Sequence, residues 1–134
     1  MHEKTASLAL EFLAKTLITF LLLEALLFPF RQAITGAFAA VLHGWIPESF
    51  GVSWECTALD EVLLLASALW WSGGSARERA VKIMTGTAVV EAYNVARILL
   101  LARFPHPLLH DVLFRWGGFL VITATYYLLA RQRI

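Results

Sequence analysis

Apolar residues in this chain gather into long stretches, separated by short joints marked by charge, proline or glycine. That arrangement constrains the fold more than any other feature, because about 20 mostly apolar residues span the hydrocarbon of a bilayer. Four stretches suit the role, roughly 7–28, 56–71, 80–102 and 108–129. Composition agrees. Of 134 residues, 59% are apolar and 16% charged, against about half and about a quarter in a soluble domain. The expected fold is all-α: a polytopic membrane helical bundle of about four transmembrane helices, forming one domain over 1–134.

The joints refine the picture. Pro29 closes the first stretch. Ile34 to Trp45 is apolar but too short to cross, so a short interfacial or re-entrant helix is expected within the segment 29–55. Trp45, Phe50 and Trp54 suit headgroup depth. Ser72-Gly73-Gly74-Ser75 reads as a flexible turn, and Phe104-Pro105-His106-Pro107 as a tight break. The first stretch carries Glu11, Lys15 and Glu24 and ends in Phe28-Pro29-Phe30 without a small-residue cleavage site, which reads as a retained span rather than a signal peptide.

Orientation follows from the basic residues. Arg77, Arg79 and Lys82 share one joint, and Lys4, Arg131 and Arg133 lie near the two ends. An even number of spans puts all of them on one side, leaving only Arg31 and Arg103 near the other. The positive-inside rule makes the first side cytoplasmic, with both termini inside and 29–55 and 103–107 outside. A net charge of +1 argues against a nucleic-acid surface, which needs a basic patch. With Cys56 alone, no intrachain disulfide is available.

This topology brings Cys56, Arg97 and His110 from three spans into one shallow outer layer. Arg97 precedes Arg103 by six residues, about 9 Å along a helix. A cysteine attacks as thiolate. In the first turn of a helix, Cys56 would gain from the dipole. Arg97 could lower its pKa or hold the oxyanion of a tetrahedral intermediate. His110 could take the thiol proton and return it to a leaving amine.

Plainer readings stand beside these. A lone membrane cysteine is usually a small apolar residue, and His110 could simply start a helix. Arg97 costs about 2.5 kcal/mol or more inside a span unless it is paired or reaches water, so it could snorkel outward or pair with Glu91 or Asp111. Asp60, Asn94 and Asp111 lie four after Cys56, three before Arg97 and next to His110. They could orient the arginine and histidine, or serve helix association. Glu11 and Lys15 read as an i,i+4 ion pair. His106 and His110 also have metal-ligand spacing, with His43 or Asp111 as a third ligand, but Pro107 between them weakens the helical register. No metal or cofactor is expected.

Glu55-Cys56-Thr57-Ala58-Leu59 opening an apolar helix resembles the cysteine motif of the exosortase/archaeosortase family. Asn94-Val95-Ala96-Arg97-Ile98 resembles its second motif, and His110-Asp111 before a further span resembles its third, in the same order over about 54–129. The resemblance implies a cysteine transpeptidase or protease in the cell membrane of a bacterium or archaeon, its active site facing outside. Cys56 would be the nucleophile, Arg97 the substrate or oxyanion stabiliser and His110 the acid and base. The implied partners are exported proteins with a C-terminal sorting tail (signature, hydrophobic span, basic cluster), and an acceptor such as a lipid, a glycan or water. Many members are larger, and Ala58 stands where a small residue, often glycine, is expected. The competing expectation is a non-enzymatic membrane protein, an assembly or transport subunit whose buried charges are structurally paired.

Overall fold

The computed structural model describes residues 2–133. Among them there is no strand. Helix α1 runs His2–Leu27 and α2 runs Arg31–Leu42, joined by a 3-10 turn at Phe28–Phe30. Pro29 falls at the start of that turn, where its missing N–H would be unpaired anyway. The chain therefore passes Pro29 without losing helical backbone. The short helix expected within 29–55 is α2, beginning at Arg31.

A 3-10 turn at Trp54–Thr57 leads into α3, Leu59–Trp71. Helix α4, Ala76–Arg103, opens with a capping box: Ser75 Oγ accepts from the Glu78 amide at 3.2 Å, and Glu78 Oε2 accepts from the Ser75 amide at 2.7 Å. Gly73 and Gly74 turn the chain with φ of +92° and +97°, values that L side chains adopt only at a cost. The last helical stretch, Pro107–Arg131, comprises α5 (Pro107–Asp111), a π turn (Val112–Gly117) and α6 (Gly118–Arg131).

Three stretches are long and apolar enough to cross a membrane: Lys4–Leu42, Ala76–Arg103 and Pro107–Arg131. Helix α3, expected as the second span, has 13 residues and is about 20 Å long, short of the ~30 Å hydrocarbon core. It starts at Leu59 rather than Cys56, because Ala58 takes a left-handed conformation and ends the preceding turn.

Short as it is, α3 is the hub. It packs against α1, α4 and α6, burying Val62, Leu65 and Leu69 with Val90 of α4 and Leu129 of α6. Opposite faces are bare. Leu10, Leu21 and Leu26 of α1 and Phe119 and Leu120 of α6 are all more than 60% exposed. Such continuous apolar exposure suits lipid and not water. Together with the three long apolar helices, it makes this a membrane protein.

Gly86 sets the closeness of the α3–α4–α6 contact. A Cβ there would stand 2.9 Å from Leu65 Cδ2 and 3.3 Å from methyls of Leu69 and Leu129. Overpacking of this kind costs about 1–3 kcal/mol. Gly86→Leu should therefore lower the thermal midpoint in detergent clearly. Gly36→Ala, on α2 with nothing within 4 Å, should leave it unchanged or raise it.

Candidate functional site

Cys56 lies in the 3-10 turn ahead of α3, not in the helix's own first turn. Its amide donates to Ser53 O at 3.1 Å, so the expected alignment with the α3 dipole is absent. The turn is tied down on several sides. Thr57 Oγ1 donates to Trp54 O at 2.7 Å, and Trp54 Nε1 donates to Asp60 Oδ1 at 2.6 Å. Arg31 of α2 lies over the Trp54 ring at 4.8 Å and pairs with Glu24 of α1 at 2.6 Å. Ala58, 2% exposed, closes the turn at φ 53°. A left-handed alanine costs about 1–2 kcal/mol, so the surrounding contacts hold this backbone against strain.

From α4, Asn94 and Arg97 face the turn one helical turn apart. Asn94 is fully buried. Its Nδ2 donates to Cys56 O at 2.8 Å and to Glu91 Oε2 at 3.3 Å, while its Oδ1 accepts from Arg97 Nε at 3.0 Å. Arg97, 3% exposed, donates through Nη2 to Glu55 O at 3.4 Å and pairs loosely with Glu61 at 3.9 Å. Its guanidinium stacks on Phe114 at 3.9 Å, a contact that strengthens when desolvated. Gly118 leaves the room: a Cβ there would lie 3.4 Å from Nη1. Nη1 makes no hydrogen bond among the described residues.

The π turn shapes the third part. There the Leu113 carbonyl accepts from the Gly118 amide and also from Tyr93 Oη at 2.7 Å. Gly117 is needed there, since any Cβ would overlap the Tyr93 hydroxyl. The turn sets Phe114 against Arg97 and also under His110, whose ring stacks on it at 4.4 Å. His110 and Asp111 pair at 3.4 Å on the exposed surface.

The sequence-predicted residues thus divide. Cys56, Asn94 and Arg97 form one buried, hydrogen-bonded unit. Asp60 supports the cysteine turn through Trp54, not by touching Arg97 or His110. Arg97 pairs with Glu61, not with Glu91 or Asp111. His110 joins the unit only through Phe114 and makes no hydrogen bond to Cys56. His106 caps α5, its Nδ1 accepting from the Leu108 amide at 3.2 Å.

Sequence reasoning missed Ser53, Glu61, Tyr93 and Phe114. Ser53 Oγ is 3.7 Å from Cys56 Sγ, and a polar residue three before a cysteine in a Gly51-marked loop was its one signal. No known family model, curated protein or solved structure matches the chain.

Asn94→Ala would leave the Cys56 carbonyl and the arginine without their shared partner, a loss of about 1–3 kcal/mol. The expected result is a lower thermal midpoint and faster alkylation of Cys56, read by mass spectrometry.

The Ser53 hydroxyl, followed by Glu55's own backbone, holds the exposed Glu55 carboxyl below its usual range. A depressed folded pKa stabilises above the unfolded value, and that contribution is lost as pH falls through the folded one. Ser53→Ala should move Glu55 titration upward, measured by NMR of carboxyl-labelled protein.

Proposed function

We propose that this chain is a membrane-embedded cysteine transpeptidase or protease of the exosortase/archaeosortase type. In this reading it crosses the bilayer four times, with 56–71 as the short second crossing. Both termini are cytoplasmic and the Cys56 end faces outside the cell membrane of a bacterium or archaeon. The observation that carries the proposal is the Cys56–Asn94–Arg97 unit. Residues 38 positions apart in sequence meet around one thiol-bearing turn, and one guanidinium nitrogen has no acceptor.

The chemistry runs in two halves. A substrate tail helix packs beside the bundle and presents its scissile peptide at the outer end. His110 takes the Cys56 thiol proton, the thiolate attacks the carbonyl carbon, and Arg97 Nη1 donates to the oxyanion. The C–N bond breaks, and His110 protonates the departing amine from the exposed side of Phe114. The resulting thioester is resolved by an amine or hydroxyl acceptor, a lipid or glycan, which gives its proton to His110 as its attack on the thioester carbonyl breaks the C–S bond and returns the thiolate. Water in that place gives simple proteolysis.

Co-expression with a protein bearing a signature–span–basic tail tests this. Cys56→Ala should abolish tail cleavage. Arg97→Ala and His110→Ala should slow it by about 10²- to 10³-fold, the usual scale for an oxyanion donor or an acid–base group. Normal cleavage by Cys56→Ala ends the covalent mechanism.

A second reading draws on burial and pairing. Cys56 is 7% exposed, and Lys15–Glu11, Arg31–Glu24 and Arg97–Glu61 are all paired. A non-enzymatic assembly or transport subunit fits those facts. A membrane-impermeant thiol reagent separates the two: an activated, substrate-accessible Cys56 reacts from outside faster than a model thiol, whereas a structural one stays unlabelled.

A further inference from the structure

The end of the bundle away from Cys56 handles charge in a different way. Lys82, in the second turn of α4, is only 4% exposed. Among the described residues it has no hydrogen-bond or ion-pair partner. A buried cation without a counter-charge is costly, and proteins pair it or supply an ion. Among the described residues the other buried charge, Arg97, is paired with Glu61, and Lys82 has no such pair.

Lys82 lines a cavity of about 260 Å³ together with Gly73, Gly74, Arg131 and Arg133. Arg131 stacks on Tyr127 at 4.6 Å and donates to its hydroxyl, but neither arginine has a carboxylate partner among the described residues. The amides of Gly73 and Gly74 donate to nothing among the described residues. The carboxylate among the described lining residues, Glu78, accepts from the Ser75 amide in the capping box. Among the described lining residues cations thus outnumber anions, around a space that also receives the N-terminal end of the 28-residue α4, where the helix dipole favours negative charge.

We propose that this basin binds a phosphate group, carried by an anionic lipid headgroup or free in solution. Lys82 supplies the buried charge, Arg131 and Arg133 the outer contacts, and the glycine amides the hydrogen bonds of a small anion nest. The position favours a lipid source. The basin opens where α3, α4 and α6 end, beside the exposed Trp70 and Trp71, and basic pockets between membrane helices recognise phospholipid headgroups.

The test uses the full chain purified in neutral detergent. Its thermal midpoint is followed against dioleoylphosphatidylglycerol, dioleoylphosphatidylcholine and inorganic phosphate. Phosphatidylglycerol should raise the midpoint saturably and phosphatidylcholine should not. Lys82→Met should weaken that apparent affinity by about fivefold or more, the scale of one basic contact. Arg77→Gln, which removes an exposed charge at the same end, should change it less than twofold. Stabilisation by inorganic phosphate alone, lost in Lys82→Met, assigns the site to free phosphate. Should Lys82→Met fail to fold, the exposed Arg131→Gln/Arg133→Gln pair replaces it, with the same loss expected. The proposal is overturned if neither phosphate probe stabilises the protein, if phosphatidylcholine acts as well as phosphatidylglycerol, or if the variants keep wild-type affinity.

Discussion

An arginine buried inside a helix long enough to cross a membrane must be satisfied by the protein, because lipid offers it nothing. Arg97 meets that demand with a neutral amide, a backbone carbonyl, a distant carboxylate and an aromatic face. Each partner comes from a different part of the chain. Asn94 lies on the same helix, Glu55 on the cysteine turn, Glu61 on α3 and Phe114 on the π turn. The guanidinium therefore fixes the relative placement of four segments, and the cysteine turn is positioned by the same contacts that neutralise the charge. This explains why Asn94 has no exposure at all. It hydrogen-bonds both the arginine and the Cys56 carbonyl.

Strain is concentrated on either side of this unit. Ala58 sits left-handed between the 3-10 turn and α3, and six residues of the last helix are wound as a π turn. Both deviations displace a side chain from where regular helix would put it. Ala58 stops α3 from extending back through Cys56, which keeps the thiol on a turn instead of on a helix face. The π turn rotates Phe114 toward Arg97 and lets Tyr93 occupy the space over Gly117. Local backbone irregularities of this sort persist only where surrounding packing over-determines them.

Much of this was legible in the sequence, and the misses have physical causes. Helix type and rough extent followed from apolar runs bounded by Pro29, the Ser72–Ser75 turn and Pro105–Pro107. The meeting of residues near 56 and 97 followed from counting crossings. The start of α3 did not, because Ala58 carries no glycine-like signal for a positive φ. The π turn was invisible as well, since Val112–Gly117 has ordinary helical composition. Glu61 was overlooked as the partner of Arg97 because ion pairing between helices depends on rotation about their axes, which apolar spacing leaves undetermined within a short segment such as α3.

The two ends of the bundle solve the same electrostatic problem in opposite ways, and the difference bears on what each can bind. Around Arg97 the counter-groups are mostly neutral carbonyls, with one loosely placed carboxylate, so the guanidinium keeps most of its field while remaining fixed. A site of that kind suits a group that is neutral when it arrives and gains negative charge during reaction, such as a peptide carbonyl, because it does not trap a preformed anion. Around Lys82 no described carboxylate is paired with it and further cations are added, which suits a group already charged on arrival. A chain this short can support both only because α4 carries Arg97 near one end and Lys82 near the other. The 15 positions of α4 from Lys82 to Arg97, about 22 Å of helix, keep the two sites apart.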